Sequence, residues 1–102
     1  MEKIYQGGEF SVPILSANEV DMVVFYNKAT KHKVEANIQD DGTNADGQHQ
    51  YTVTLSAEQT KAMPVGIYDI EVVRAGYGGE PVMDYQKSDY AEVCESSLSQ
   101  RG

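Results

Sequence analysis

The 102-residue sequence predicts one all-β domain in which two sheets pack face to face. In most segments apolar and polar side chains alternate, as they do in a strand with one buried face. Turn residues separate these segments at intervals of about 8–12 residues, a spacing typical of a β-sandwich or small barrel. A chain of this length can bury one core without disulfides or metals. The pattern holds about six or seven strands and one short helix.

The first half of the chain contains three predicted strands. In Glu9–Leu15 the apolar residues alternate, and Pro13 indicates an edge position or a bulge because proline has no N–H for the ladder. Asp21–Asn27 is apolar on both faces, which favours a central strand. After a hairpin connection, Lys31–Ile38 has one wet face and one buried face.

The middle of the chain contains the strongest loop signal and the clearest strand. Gln39–Gln48 holds two Asp-Gly pairs and is predicted to be a loop. His49–Ser56 alternates without interruption. A serine followed three residues later by glutamine is a capping box, which predicts a short helix over Ala57–Met63, ended by Pro64.

Two further strands complete the predicted domain. Ile67–Arg74 alternates, and a glycine-rich turn separates it from a last strand region that runs from Val82 to about Glu95. Lys87-Ser88-Asp89 indicates a break in that region. We therefore predict a single domain over residues 1–97 and a disordered tail over residues 98–102.

The charge balance excludes some classes of partner. The sequence has 16 acidic and 8 basic residues, which gives a formal net charge of −8. An acidic surface repels phosphate, so we expect neither nucleic acid nor an anionic membrane as a partner. The acidic residues are scattered along the chain, as on a surface kept soluble by repulsion.

Cysteine usage and hydropathy predict the compartment. Cys94 is the only cysteine, so no disulfide forms within the chain, which favours a reducing compartment. The sequence shows neither a signal peptide nor a run of about 20 apolar residues for a membrane helix. We expect a cytoplasmic protein, with no cofactor.

The predicted loop is also a candidate calcium site. Asp40, Asp41, Asn44 and Asp46 offer four side-chain oxygens, the ligand type that calcium prefers. The segment lacks the EF-hand spacing and its closing bidentate glutamate. The alternative is a polar hairpin loop in which these residues serve turn geometry.

Other metal or nucleophile sites are disfavoured. Zinc sites need several Cys or His ligands at short spacing, whereas His32 and His49 are far apart and predicted to face outward. Cys94 lies near Glu92 and Glu95, and acidic neighbours disfavour the thiolate that a nucleophile requires. A strand thiol is the preferred interpretation.

Several tyrosines are candidates for an interaction surface. Tyr5, Tyr77, Tyr85 and Tyr90 fall in terminal or loop-rich segments, and tyrosine is enriched at protein interfaces. Tyrosine also packs well on strands with only its hydroxyl in water, so both interpretations stay open. The interaction candidates are Tyr77, Tyr85 and Tyr90.

Segments that cover about half of the chain resemble immunoglobulin-like domains of phage or prophage baseplate and tail-accessory proteins. Gly8–Ile14 resembles their opening strand, and Val23–Tyr26 fits the second. Tyr51–Thr60 and Pro64–Val72 are similar to their strand, short helical turn, Pro-x-Gly-x-Tyr corner and following strand. The resemblance implies an immunoglobulin-like sandwich of antiparallel strands and brings no catalytic residues with it. Proteins of this family often carry receptor-binding or trimerising parts after the domain, and no such role is carried over here.

The expected function is that of a non-catalytic structural or interaction module. The resemblance implies a component of a phage or prophage tail, baseplate or head accessory that docks on other particle proteins and resides in the virion. An exposed edge strand makes a homo-oligomer a further expectation. The alternative is a cell-surface or carbohydrate-binding sandwich module with a groove lined by Tyr77 and Tyr85. An enzyme is disfavoured because no catalytic constellation is present in the sequence.

Overall fold

The computed structural model describes residues 1–100, with side chains up to residue 98. Two β-sheets face each other, one of five strands and one of three. The strands are β1 (Glu2–Tyr5), β2 (Phe10–Ser16), β3 (Met22–Asn27), β4 (His32–Glu35), β5 (Asn37–Thr43), β6 (His49–Leu55), β7 (Gly66–Ala75) and β8 (Pro81–Cys94), with one α-helix, α1 (Ala57–Ala62). The prediction of an all-β domain with two sheets and one short helix is confirmed.

The strand order brings distant parts of the chain together. The larger sheet has the order β1-β8-β7-β3-β4, and the smaller sheet has the order β2-β6-β5. All neighbouring strands are antiparallel except β1, which runs parallel to the end of β8. The expectation of antiparallel strands alone is therefore wrong for β1. This strand covers only positions 91–94 of β8.

The strand count exceeds the prediction because one predicted strand divides and one was missed. The segment 31–38 splits at Ala36, where the chain crosses from the larger sheet to the smaller one. The Ala36 amide still donates to the Val23 carbonyl at 2.8 Å, whereas the next residue pairs with β6. The four-residue β1 has a single buried side chain, Ile4, too little to produce an alternating pattern.

The predicted loop over 39–48 is also shorter than expected. β5 continues to Thr43, with a register shift between Asp40 and Gly42, so the connection to β6 spans only residues 44–48. Gly42 has a φ of 93°, and its amide donates to Asp40 Oδ1. The Asp41-Gly42 pair thus forms a bulge inside a strand instead of the predicted turn.

Other details of the strand prediction are confirmed. β2 is an edge strand, as Pro13 indicated, and β3 lies inside its sheet between β7 and β4. β8 is irregular near the predicted break, because Asp89 has a φ of 54° and the register with β7 shifts there.

The disordered tail was predicted over residues 98–102. Residues 97–100 form a 3₁₀ turn, and residues 101 and 102 lie outside the described residues.

The core lies between the two sheets. Its aromatic centre is Phe25, which is fully buried and meets the Phe10 ring edge-on at 6.0 Å. The alternate residues of β6 and β7 complete it, among them Val53, Leu55 and Tyr68. Burial of such side chains contributes about 1.5–3 kcal/mol each. Neither α1 nor the described 3₁₀ turns are long and apolar enough to cross a membrane.

Candidate functional site: a groove between the two sheets

A groove of about 460 Å³ opens on one side of the sandwich, between the edge strand β2 and strands β7 and β8. Residues 13–18 form one wall. Ile70 and Val72 form the floor, and Tyr85 and Tyr90 contribute from β8. This volume lies within the range of about 300–1,000 Å³ that is usual for ligand pockets.

The walls of the groove are largely apolar and partly open to solvent. Leu15 is 57% exposed and Tyr85 is 52% exposed. Tyr85 lies directly opposite Val72 in the β7–β8 ladder, and opposed residues of antiparallel strands share one face of the sheet. The Tyr85 ring therefore stands on the core side of the larger sheet, at a point that the smaller sheet leaves uncovered.

A carboxylate closes one end of the groove. Asp84 Oδ2 accepts a hydrogen bond from the Ser16 hydroxyl at 3.2 Å, and Oδ1 accepts one from the Asn18 amide at 3.0 Å. The Arg74 guanidinium lies 3.5 Å from the same Oδ1. Asp84 thus fastens the end of β2 to β8 across the groove.

Asp84 is available at this position because β8 bulges there. The register with β7 shifts between Val72 and Val73, which oppose Tyr85 and Met83. Asp84 is the extra residue between them, and a bulge of this kind re-aims a side chain. The carboxylate consequently points towards β2, where it finds the polar partners named above.

A second bulge positions Tyr90. Asp69 is buried and accepts a hydrogen bond from the Asp89 backbone amide at 3.0 Å, which holds Asp89 in its left-handed conformation. Three residues of β8 oppose Asp69 alone. The following residue, Tyr90, turns onto the core side and packs against Phe25, with ring centroids 6.1 Å apart.

Partial burial changes the chemistry of Tyr90. Desolvation raises the pKa of its phenol above the ordinary value, and the nearby Glu2 and Tyr85 raise it further. Tyr90 therefore stays neutral at physiological pH and can act as a hydrogen-bond donor. The electrostatic effect of Glu2 on Tyr90 places an acidic residue near this end of the groove.

Two strand edges border the groove. β2 is the outer strand of the smaller sheet and pairs only with β6 in the described part of the chain. β1 pairs with β8 at positions 91–94, so within residues 1–100 positions 81–90 of β8 have a strand neighbour on one side only. Unpaired backbone groups along such edges can pair with another chain.

The structure separates the three interaction candidates. Tyr85 and Tyr90 line the groove together. Tyr77 lies in the 3₁₀ turn Tyr77–Gly79 between β7 and β8, fully exposed and outside the groove. The alternative of strand packing also holds in part, since Tyr90 packs against the core.

Three of the four calcium candidates, Asp40, Asp41 and Asn44, accept hydrogen bonds within their own hairpin. Asp40 accepts from the Gly42 amide, and Asp41 accepts from Gln39 and, at 2.5 Å, from the Thr52 hydroxyl. Asn44 Oδ1 accepts from the amides of Asp46 and Gln48. Across residues 1–100, no three His, Cys, Asp or Glu side chains gather in a way that could hold a metal ion.

The remaining sequence candidates lie outside the groove. His49 stacks against Tyr51 with ring centroids 6.5 Å apart, and both histidines are partly buried, although they were predicted to face outward. Cys94 is partly buried at the end of β8, and its thiol lies 3.9 Å from the Glu92 carbonyl oxygen.

Sequence reasoning missed Asp84 and the wall from β2. Asp84 is 68 residues from Ser16 in sequence, so no local spacing predicts their contact. The one available signal was Leu15, an apolar residue on the polar-facing row of β2. The groove offers an apolar floor, two phenol rings and a fully partnered carboxylate, a combination suited to binding.

The chain has no significant match among protein family models, curated proteins or solved structures.

Proposed function

We propose that this chain is a non-catalytic, immunoglobulin-like structural module that docks on other proteins of a phage or prophage particle. The observation that carries the proposal is the open groove, because its apolar walls and two bordering strand edges form a surface suited to another protein. The module would be made in the cytoplasm and reside in the assembled particle, as part of a tail, baseplate or head accessory.

The strand order supports the immunoglobulin-like assignment. In such sandwiches one sheet contains strands C, F and G, extended by C′ in the variable type, and the other contains B, E and D. The order β8-β7-β3-β4 matches G-F-C-C′, and the order β2-β6-β5 matches B-E-D. β1 takes the place of a first strand that pairs with the last.

The corner before β7 gives further support. Immunoglobulin-like domains often carry a tyrosine near the start of strand F whose hydroxyl bonds back to the backbone a few residues upstream. Tyr68 is fully buried near the start of β7, and its hydroxyl donates to the Pro64 carbonyl at 2.8 Å. This is the Pro-x-Gly-x-Tyr segment on which the resemblance to phage proteins depends.

The test is complex formation with proteins encoded beside this gene. Each neighbour would be co-expressed with the chain and the mass of the purified complex measured by light scattering. We expect a complex of fixed stoichiometry with a particle structural protein and none with a neighbouring metabolic protein. A gene among metabolic genes, with no complex from any neighbour, would contradict the proposal.

A glycan-binding module is the second candidate. The groove places Tyr85 and Tyr90 near Asp84 and Asn18, and sugars are bound by aromatic faces together with polar side chains. A glycan array probes this alternative directly. A hit that disappears in Tyr85→Ala and persists in Tyr77→Ala would favour the glycan function over protein docking.

A further inference from the structure

The larger sheet has an incomplete edge. β1 occupies the outer side of β8 along positions 91–94 and begins at Glu2, opposite Ala91. Beyond that point β8 continues for the ten residues 81–90, and in the described chain no strand continues the line of β1. The N–H and C=O groups on that side of β8 therefore have no strand partner.

The empty edge and the groove share one opening. Tyr85 belongs to the free part of β8, and its ring stands on the face that forms the groove floor with Val72. A strand added beside β8 would point every second side chain to that same face, because successive side chains of a strand alternate. Those side chains would enter the groove opposite Ile14, which lies on the inward row of β2.

The negative charge of this chain predicts the charge of the segment that binds in the groove. The chain has a formal net charge of −8. Positions 81–90 contain two aspartates, Asp84 and Asp89, and one basic residue, Lys87. Among the described residues Asp84 is the one charged residue that lines the groove, and Arg74 offsets part of its charge from 3.5 Å away. Glu2 lies close enough to Tyr90 to act on it electrostatically, so the partner's charge follows mainly from the net charge of the chain. A partner of complementary charge is therefore positively charged.

We infer that the groove binds an extended, positively charged segment of a partner protein, which adds as a strand to positions 81–90 of β8 in line with β1. Its inward side chains are apolar and fill the groove, and lysine or arginine residues flank them. This mode supplies affinity through backbone hydrogen bonds and specificity through alternate side chains. The inference rests on the proposed docking function and specifies its partner.

Two other occupants fit the surface less well. A second copy of the chain would bring another net charge of −8 to the same edge, and like charges in close contact disfavour association. A glycan has no row of alternating N–H and C=O groups to satisfy the strand edge. Both remain outcomes that the experiment can detect.

The experiment selects binders from a library of random linear peptides displayed on a carrier. The folded chain is immobilised, and the selection is repeated on the Tyr85→Ala variant. We expect enriched peptides with alternating apolar residues and at least one lysine or arginine, found on the native chain and lost on Tyr85→Ala. Tyr77→Ala is the matched control, since the same truncation lies outside the groove and should leave binding unchanged.

Two substitutions of opposite charge at one position test the predicted charge of the peptide. Leu15 is largely exposed, so Leu15→Glu and Leu15→Lys should both fold, which circular dichroism verifies. Both remove the same side chain at the rim of the groove, whose row in β2 faces outward, but only the lysine repels a cationic peptide. We expect about a tenfold loss of affinity for Leu15→Lys and a smaller loss for Leu15→Glu. Raising salt from about 50 to about 300 mM should weaken binding to the native chain.

Several results would overturn the inference. These are peptides without alternation or with an acidic bias, equal enrichment on Tyr85→Ala, no enrichment at all, self-association through this edge, or a glycan that competes for the groove. The proposed function fails separately. A complex with a particle protein that is insensitive to Tyr85→Ala refutes the inference and leaves docking intact. Peptide binding in the groove without any particle partner refutes the proposed function and leaves the peptide-binding groove intact.

Discussion

Asp69→Ala should destabilise the domain by more than its exposed ion pair accounts for. The buried carboxylate accepts from the Asp89 amide at 3.0 Å and from Gln86 Nε2 at 3.5 Å, and Lys28 Nζ lies 3.3 Å away. A hydrogen bond to a charged group contributes about 1.5–3 kcal/mol. Because the Lys28 side chain is 63% exposed, its ion pair adds only about 0–1 kcal/mol. We expect a loss of about 2–4 kcal/mol.

Two matched variants separate these contributions. Asp69→Asn keeps an oxygen for the Asp89 amide and should lose about 1 kcal/mol. Lys28→Ala removes the exposed cation alone and should lose about 1 kcal/mol or less. Because the bulge positions Tyr90, Asp69→Ala should also perturb the groove, whereas Lys28→Ala should not.

Urea denaturation followed by circular dichroism measures these free energies of unfolding. For a domain of this size, each kcal/mol corresponds to about 4–8 °C in the midpoint of thermal unfolding. The reasoning is refuted if Lys28→Ala costs as much as Asp69→Ala, or if Asp69→Ala leaves the stability unchanged. Either result would mean that the carboxylate does not hold the bulge through the backbone amide.

Three further changes have defined outcomes. Ser56→Ala removes the N-cap of α1 and should lower the unfolding free energy by about 1 kcal/mol, measured in urea. Thr52→Val should raise the pKa of Asp41, which the Thr52 hydroxyl holds below its ordinary value; an NMR titration checks this. Because the pKa of Asp41 is lower in the folded than in the unfolded chain, its ionised carboxylate stabilises the native state. This stabilisation is lost as pH falls through the folded-state pKa, and Thr52→Val should lose less stability over the same range of pH. Gly76→Ala would place a Cβ 2.4 Å from Val82 Cγ2 and should cost about 1–3 kcal/mol in thermal unfolding.

Alternation predicted the parts of the fold in which one face is buried. β6 and β7 have regular patterns because their inward residues, such as Val53 and Ile70, lie in the core. The capping box at Ser56 also forms as predicted, with both reciprocal hydrogen bonds. These features depend on neighbours within a few residues, so the sequence displays them directly.

The features that the sequence pattern did not predict depend on contacts between residues far apart in the chain. Ala36 continues an alternating pattern, yet the chain changes sheets there because its two sides pair with β3 and β6. Asp84 reads as an ordinary polar strand residue, and only its contact with Ser16 reveals its role. Of the candidate tyrosines, Tyr85 and Tyr90 share the groove through two bulges that no spacing rule predicts.

Amide hydrogen exchange on the complex tests whether the groove between β2 and β8 is the surface that binds a partner protein. The chain would be compared free and bound to a partner identified by co-expression, with exchange followed along its whole length. We expect binding to slow exchange in residues 82–88 of β8 and 14–18 of β2, while the turn at Tyr77 stays unchanged. Slowing confined to β4, β5 or that turn would contradict this expectation, because the partner would then occupy a surface other than the groove.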